Sequence, residues 1–234
     1  MIYITGDTHG DFARIAEFCK RVQTTAEDIM IILGDAALNY FADERDVLRK
    51  QYVSKLPITL FCIHGNHEMR PANISSYQIR QFQNGRVFFE AEYPSILFGI
   101  DGEIYDFEGL SCLVIGGAYS IDKDYRLTRG YQWFPDEQPS SEIKKQVEEK
   151  LYSVGNKVDV ILSHTCPLKY EPTEVFLPFV DQSKVDKSTE RWLDQIEKTS
   201  AYQKWYCGHY HTQKKIDRLQ FMFEDIEVFS SSTD

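Results

Sequence analysis

Short apolar runs alternate with amphipathic stretches in the first third of the chain. Met1–Thr5, Ile29–Leu33 and Ile58–Ile63 are brief and almost wholly apolar, which is typical of buried strands. Between them, Asp11–Arg21 and Asp43–Lys55 carry apolar residues at helical spacing. The alternation predicts parallel strands joined by helical crossovers. In the second helix the pattern predicts an inner face made by Val47, Leu48 and Tyr52.

The middle of the chain changes character. Four short strands are predicted between Gly, Pro and Asp turns, which favours antiparallel pairing. They are Arg86–Glu90, Ser95–Ile100, Glu103–Phe107 and Leu110–Gly116.

From residue 140 the alternation of helices and strands returns. The pattern predicts a helix over Ser140–Val154, a strand over Val158–Leu162, a helix over Gln182–Lys198 and a strand over Tyr202–Cys207. Arg218–Glu224 and Glu227–Phe229 are predicted to form a closing hairpin, with residues 230–234 as a frayed tail. We find no linker, so one domain over residues 1–234 is expected.

The candidate chemistry lies in polar loops that directly follow the predicted strands. The fragments are Gly6-Asp7-Thr8-His9-Gly10, Gly34-Asp35, Gly65-Asn66-His67-Glu68, Ser163-His164 and Gly208-His209-Tyr210-His211. Side chains delivered from strand ends can converge on one point. Carboxylate, amide and imidazole groups are competent ligands for divalent metals at neutral pH. The fragments therefore predict a two-metal hydrolytic site.

Individual roles follow from the residue types. Asp35 is suited to bridge two ions through its two oxygens, and Asn66 offers a neutral amide oxygen. His67 need not be a ligand and is placed to protonate the leaving oxygen, with Glu68 or Asp11 as candidates to orient it. Two ions ~3.5–4 Å apart would hold a water of lowered pKa between them.

Composition bounds the protein class. Hydrophobic residues make up 42% of the 234 residues, which supports a substantial core and excludes a disordered chain. The net charge of −10 argues against binding to long nucleic acids, although two dications would attract a phosphate locally. The five cysteines lack CxxC spacing, and most are expected to be buried small hydrophobes. Cys166 and Cys207 lie two residues from His164 and His209, so a soft-metal role is the alternative for these two. The chain lacks an apolar run of membrane-spanning length and a signal-type N-terminus, so we expect no membrane partner and a cytoplasmic location.

Read in order, the five fragments resemble the calcineurin-like metallophosphoesterase superfamily. Its pattern is Asp-x-His, Gly-Asp, Gly-Asn-His-Asp/Glu, a later His, and then Gly-His-x-His, and the resemblance extends from Asp7 to His211. It implies an α/β fold, namely a four-layer α/β/β/α sandwich with two mixed β-sheets. It also implies metal-dependent hydrolysis of a phosphomonoester or phosphodiester.

The resemblance assigns the residues to two metal positions. One would comprise Asp7, His9, Asp35 and His211, and the other Asp35, Asn66, His164 and His209. His67 would be the catalytic histidine, assisting the leaving group while a hydroxide held between the metals attacks in line. The mixed ligands suit two divalent ions from Mn, Fe, Zn, Co or Ni, and we favour Mn.

The chain departs from the protein Ser/Thr phosphatase branch of that superfamily. That branch carries Gly-Asp-x-x-Asp-Arg-Gly and Arg-Gly-Asn-His-Glu, and both arginines grip phosphate. The corresponding stretches here are Gly34-Asp35-Ala36-Ala37-Leu38-Asn39-Tyr40 and His64-Gly65-Asn66-His67-Glu68. We therefore do not expect a protein phosphatase, although Glu68 matches that branch and leaves a Ser/Thr phosphatase-like enzyme as an alternative. The net charge of −10 favours a small phosphoester or nucleotide substrate over a long nucleic acid.

Three further residues are candidates for substrate binding. His64 occupies the position of a missing arginine and is either a phosphate contact or a packed or solvent-facing histidine. Arg126 and Arg129 lie within residues 119–138, where cations are interleaved with aromatic residues. They are candidates to replace the missing arginines, and the alternative is an ordinary surface loop.

A protein of another class also fits this fold. A binding or scaffold protein would need no catalysis, because fold does not fix function. Each expected ligand position holds a competent residue and His67 is present, which favours an enzyme. The sequence leaves the substrate, the ester type and the oligomeric state open.

Overall fold

The first of two mixed sheets contains the strands of the N-terminal third. The computed structural model describes residues 1–232. Parallel strands β1 (Ile2–Thr5), β2 (Ile29–Ile32), β3 (Thr59–Cys62) and β6 (Ile96–Gly99) form its centre. Antiparallel strands complete it: β4 (Tyr77–Phe82) and β5 (Gly85–Glu90) beyond β6, and β13 (Glu227–Val228) beside β1.

The second sheet repeats this arrangement with strands from the rest of the chain. Its parallel centre comprises β8 (Leu110–Ile115), β9 (Val160–Ser163), β10 (Lys204–Cys207) and β12 (Leu219–Phe221). Antiparallel edge strands are β7 (Ile104–Phe107) and β11 (Lys214–Ile216).

Helices cover the outer faces of both sheets. They are α1 (Ala13–Val22), α2 (Glu44–Val53), α4 (Ser141–Ser153) and α5 (Ser188–Thr199). A further short helix, α3 (Lys123–Arg129), follows β8 and has Arg126 as its buried residue. Short 3-10 turns occur at Pro71–Asn73, Leu168–Tyr170, Thr173–Val175 and Gln182–Lys184. Because side chains alternate along a strand, each sheet has one face for the helices and one for the other sheet.

Packing follows that alternation. Ile4 and Phe61 of the first sheet share a core with Val114 of the second. On the outer face of the first sheet, Tyr3 packs edge-on against Phe18 of α1, with ring centroids 4.7 Å apart. Helices α4 and α5 cover the second sheet through Leu151, Leu193 and their neighbours. The predicted four-layer α/β/β/α sandwich with two mixed sheets is confirmed.

All five cysteines are buried and free, as predicted for most of them. Within residues 1–232, no helix has the length and apolar character needed to cross a membrane. Of the predicted tail, residues 233 and 234 lie outside the described residues. The single domain over 1–234 stays a prediction.

The predicted C-terminal hairpin is wrong, because its two arms join different sheets. Strand β12 pairs with β10 and β11, whereas β13 pairs with β1. The actual hairpin partner of β12 is β11, just before it in the chain. The two are joined by Asp217 and Arg218, and Asp217 has a φ of 52°, as tight hairpin turns require.

Strand β4 is absent from the predicted elements, although its turn carries a signal. Tyr77–Phe82 pairs antiparallel with β5 through Gln83 and Asn84, whose φ values are 49° and 64°. Two consecutive positive φ values are typical of a two-residue hairpin, and the Asn84-Gly85 pair is the cue. The strand is an edge strand with half-exposed side chains, so its apolar pattern is weak.

Two helix predictions also need correction. The helix predicted over Gln182–Lys198 begins only at Ser188, whose N–H donates to Asp186 Oδ1 at 2.9 Å. A separate 3-10 turn occupies the first three predicted positions.

Helix α2 buries a different face from the one predicted. Val47, Leu48 and Tyr52 are exposed, whereas Asp46 and Lys50 are buried. Lys50 Nζ lies 2.5 Å from Glu90 Oε2 of β5, and Asp46 Oδ2 accepts the backbone N–H groups of the preceding loop. Contacts with residues distant in sequence, rather than the local apolar pattern, therefore decide which face of α2 is buried.

Candidate active site

Five strand ends deliver the predicted site residues to one location. Asp7 and His9 follow β1, Asp35 follows β2, Asn66 and His67 follow β3, His164 follows β9, and His209 and His211 follow β10. These strands are parallel within each sheet, so their carboxyl ends open at one edge. The structure brings together all seven predicted metal ligands and His67.

The first group of candidate ligands surrounds Asp7. His211 Nε2 lies 3.4 Å from Asp7 Oδ2 and 2.8 Å from His9 Nε2. The other oxygen of Asp7 accepts the His209 backbone N–H at 2.9 Å, which fixes the carboxylate. Asp7, His9 and His211 therefore present three ligand atoms to a common point.

The second group surrounds Asn66. Its Oδ1 lies 2.8 Å from His164 Nε2 and 3.1 Å from His209 Nδ1. The Asn66 amide donates through Nδ2 to Ser120 Oγ at 2.8 Å, so the carbonyl oxygen faces the histidines. His164 is held from behind, with Nδ1 2.8 Å from the carbonyl oxygen of Leu33.

Asp35 lies between the two groups. Its Oδ2 is 4.0 Å from His9 Nδ1 and 3.7 Å from His164 Nε2. Its Oδ1 accepts the backbone N–H of His67 at 2.8 Å. A single oxygen, Oδ2, therefore faces a histidine of each group, whereas the predicted bridge used both oxygens.

The donor set fits divalent cations. Ligands ~2.1 Å from an ion lie ~3.0 Å apart at neighbouring octahedral positions, close to the separations of the imidazole nitrogens and amide oxygen here. Asp7 Oδ2 is buried and has no hydrogen-bond partner within residues 1–232. An unpaired buried carboxylate oxygen is costly unless another group, such as a cation, compensates it.

The protonation states also suit metal binding. Burial raises the pKa values of Asp7 and Asp35, but His211 beside Asp7 and His164 beside Asp35 help to shift both net values below the usual range. Burial lowers the pKa of His209 to about 3, so its ring is neutral at pH 7. The Asp7 carboxylate beside it raises the pKa of His211. Ionised carboxylates beside a neutral imidazole are what a divalent cation prefers.

Four candidate ligands adopt a backbone conformation that non-glycine residues rarely take. The φ values of His9, Asp35, His209 and His211 are 47°, 48°, 67° and 48°. Such residues each cost roughly 1–2 kcal/mol and cluster at functional sites. The backbone strain here coincides with the candidate ligands.

Replacing Gly34 by Ala is expected to displace His164 and reduce the metal content. A Cβ at Gly34 would overlap His164 Nδ1, and φ there is +104°. Gly109 is the matched control, because its φ is +83° and a Cβ there meets nothing within 4 Å among the described residues. Both variants carry backbone strain of about 1–2 kcal/mol, but only Gly34→Ala should bind less Mn²⁺ by elemental analysis. Equal metal contents would contradict the proposed place of His164.

His67 lies at the edge of the centre. Its ring packs edge-on against His9, with centroids 5.4 Å apart, and a ring nitrogen lies within 4.8 Å of ligand atoms of His9 and Asp35. Burial lowers its pKa, against the opposing effect of Asp35. Neither candidate for orienting it is in place: Asp11 Oδ1 accepts the Ala13 N–H at 2.9 Å, and Glu68 Oε1 accepts the Gly65 N–H at 3.3 Å. Burial raises the pKa of Glu68 to about 8.

The structure does not bring the three predicted substrate-binding residues into the open site. His64 is buried, and burial lowers its pKa well below the ordinary value. Arg126 is buried beside the centre, where Nη1 donates to Ser120 Oγ at 3.3 Å. Arg129 is exposed on α3, with its guanidinium 5.5 Å from the ring centroid of Tyr125. Phosphate contact by these residues stays a prediction without support from their placement.

Two clefts meet at His9 and His67. The larger, about 430 Å³, is bordered by residues 119–122 and by the irregular segment 171–185. The smaller, about 220 Å³, is lined by Ala37, Tyr40, Phe41 and Arg49. Arg49 is not among the residues that the sequence singles out, and it donates through Nη1 to the carbonyl oxygen of Ala37. Arg49 belongs to a helix that is predicted to be charged, and most charged residues of such a helix face solvent. The sequence therefore does not indicate that Arg49 lines a cleft.

Comparison with known proteins defines the class. A candidate metal centre at the strand ends of a two-sheet α/β sandwich agrees with a family model described as calcineurin-like phosphoesterase, which matches residues 1–213. The chain belongs to the calcineurin-like phosphoesterase family, whose members hydrolyse phosphoesters and typically bind two divalent metals. The predicted resemblance is thereby confirmed.

One solved structure supports the same fold. TT1561 of Thermus thermophilus aligns over 99% of this chain and 98% of its own, with a TM-score of 0.53 and 14% sequence identity. The protein of unknown function AQ665 from Aquifex aeolicus aligns over 73% of this chain and 81% of its own at 15% identity. Its TM-score of 0.35 is too low to support a shared fold. No curated protein matches the chain.

Proposed function

We propose that the chain is a dinuclear metal-dependent phosphoesterase acting on a small or nucleotide-like phosphomonoester or phosphodiester. The observation that carries the proposal is the position of Asp35, whose Oδ2 is within 4.0 Å of a ring nitrogen of both His9 and His164. One carboxylate between two ligand groups is the requirement for two ions to share a bridge. Mn²⁺ is the first metal to test, since carboxylate, amide and imidazole ligands together accommodate it.

The bound metals and the protein side chains would have different roles in the reaction. Two bound divalent ions would supply an activated water and neutralise charge on the phosphoryl group. Asp7 and Asp35 contribute the negative charge that holds such ions, and Ser120 keeps the amide of Asn66 oriented. His67 lines both clefts, so its ring would lie beside a leaving group that departs into either cleft. It is suited to donate a proton or hydrogen bond to the departing oxygen.

Hydrolysis of p-nitrophenyl phosphate and bis-p-nitrophenyl phosphate tests this proposal. We expect metal-dependent turnover of at least one ester with Mn²⁺, and its loss on chelation. The preferred ester separates a phosphatase from a phosphodiesterase. Failure to turn over either ester with Mn²⁺, Zn²⁺ or Fe²⁺ would contradict the proposal and favour the non-catalytic binding protein.

Arg49→Ala is expected to raise KM about tenfold with a smaller effect on kcat. The guanidinium lies so close to Gly10 that a Cβ there would overlap it, and it lines the smaller cleft next to His9 and His67. A charge-assisted contact to phosphate is worth roughly 1.5–3 kcal/mol, and partial exposure reduces this. Steady-state kinetics of Arg49→Ala and of Arg191→Ala, an exposed arginine on α5, provide the measurement. Equal KM values in the two variants would show that Arg49 does not contact the phosphate.

A further inference from the structure

The larger cleft is lined by apolar side chains that remain exposed. Ile121, Val175 and Leu177 are 44%, 40% and 45% exposed and border the cleft from two sides. Phe176 stacks on Tyr210 at 6.1 Å with an interplanar angle of 16° and contributes a flat wall. Exposed apolar groups gathered around a concave site are typical of ligand contact.

The charged residues of this cleft are acidic. Beyond the metal centre they are Asp122, Glu171 and Glu190, and no Lys or Arg lines the cleft among the residues that the structure describes. Glu171 is paired, since Lys187 Nζ lies 2.7 Å from its Oε2. Asp122 is paired more loosely, because Arg126 Nη1 lies 3.9 Å from its Oδ1. An anionic group in this cleft would therefore meet Asp122 and Glu190.

Glu190 is the more informative of those two carboxylates. It is only 4% exposed, and its Oε1 accepts a hydrogen bond from Thr165 Oγ1 at 2.8 Å. Its Oε2 is buried and has no hydrogen-bond partner within residues 1–232. Since Glu190 lines the cleft, a rotation of its carboxylate would present this unpaired oxygen to a ligand's hydrogen-bond donor.

The cationic residues lie elsewhere around the centre. Arg49 lines the smaller cleft, and Arg126 is buried with Nη1 3.9 Å from Asp122 Oδ1. The two clefts share His9 and His67. The arginine that lines a cleft and the apolar walls thus belong to different clefts that share the two histidines.

We propose that the substrate carries, beyond its scissile phosphate, an apolar group without negative charge that binds in the larger cleft and donates a hydrogen bond to Glu190. A single aromatic ring bearing an amide or amine matches the walls, and about 430 Å³ is sufficient for it. The inference rests on the proposed phosphoesterase function. It disfavours nucleoside polyphosphates, whose additional phosphates would meet the carboxylates.

Two near-isosteric pairs of probes test the inference. The esters are 4-carbamoylphenyl phosphate and 4-carboxyphenyl phosphate, which differ mainly in charge. The corresponding phosphonates resist hydrolysis, so calorimetry on the Mn²⁺-loaded protein measures binding separately from turnover. Burial raises the pKa of Glu190 to about 7, so the measurements are made at about pH 8.5, where its carboxylate is ionised. There we expect kcat/KM and affinity to favour the carbamoyl member by on the order of tenfold, as like charges repel in a partly desolvated cleft.

Amino-acid substitutions test whether that preference arises in the larger cleft. Glu190→Gln should reduce the preference several-fold, whereas Glu149→Gln, on the exposed surface of α4, should retain it. Phe176→Ala should weaken both phosphonates about equally and leave the affinity for inorganic phosphate unchanged. This second variant tests the cleft even if Glu190→Gln fails to fold.

The outcomes separate the two proposals. Equal affinity for the two phosphonates, or a preference for the carboxylate, overturns the inference whether or not the esters are hydrolysed. Preferential binding of the carbamoyl phosphonate without hydrolysis of any ester supports the cleft assignment and overturns the proposed function.

Discussion

Asp35→Asn is expected to abolish phosphoesterase activity and to lower the occupancy of both metal positions. Asp35 is buried, and its pKa lies below the usual range because nearby histidines, His164 first, outweigh the effect of burial. It therefore supplies a full negative charge between the two ligand groups. Asn retains the shape but removes that charge, so we expect turnover to fall by on the order of 10³-fold or more, about 4 kcal/mol of lost transition-state stabilisation.

Elemental analysis and kinetics of the same preparation check this prediction. Asp159→Asn is the control, because Asp159 is a hydrogen-bonded carboxylate directly before β9, where Ser111 Oγ donates to it at 2.7 Å. That variant measures the general cost of replacing a structural carboxylate. Two metals retained in Asp35→Asn would show that this carboxylate does not bridge them.

His67→Ala is expected to keep both metals but slow turnover by roughly 10²–10⁴-fold for esters with poor leaving groups. The contact of His67 with Asp35 is made by its backbone N–H, at 2.8 Å, and this contact survives in the alanine variant. Loss of the ring removes the candidate proton donor alone. A good leaving group needs little protonation, so p-nitrophenyl esters should be affected less than alkyl esters.

The dependence on the leaving group distinguishes this role from metal binding. A ring nitrogen of His67 lies within reach of ligand atoms of His9 and Asp35, which makes a ligand role the specific alternative. In that case His67→Ala would lose metal and slow all esters alike. Metal content and a series of leaving groups, measured together, decide between the two roles.

The sequence is sufficient to predict the centre because its residues occur in short motifs immediately after apolar strands. Parallel strands bring their carboxyl ends together, so Asp7 and Asp35 can be placed at one sheet edge without knowledge of the strand order. That His164 of the second sheet joins them follows from the family resemblance. The left-handed backbone at His9 and Asp35 carries no such signal. It follows from the tertiary contacts of the loops.

The surroundings of the centre are harder to predict. No helix or strand is predicted for residues 171–181, and the helix predicted from Gln182 begins only at Ser188, yet segment 171–185 forms one side of the larger cleft. The sequence shows that an arginine is charged but not how far it is buried. In the structure Arg126 is buried, Arg129 is exposed, and Arg49 lines the smaller cleft. Pairing between Lys50 and Glu90, distant in sequence, likewise decides which face of α2 is inward.

Anomalous diffraction from crystals of the Mn²⁺-loaded protein tests the dinuclear centre most directly. The account predicts two peaks ~3.5–4 Å apart, bridged by Asp35, with Asp7, His9 and His211 around one and Asn66, His164 and His209 around the other. A single peak, or two peaks not joined by Asp35, would contradict it.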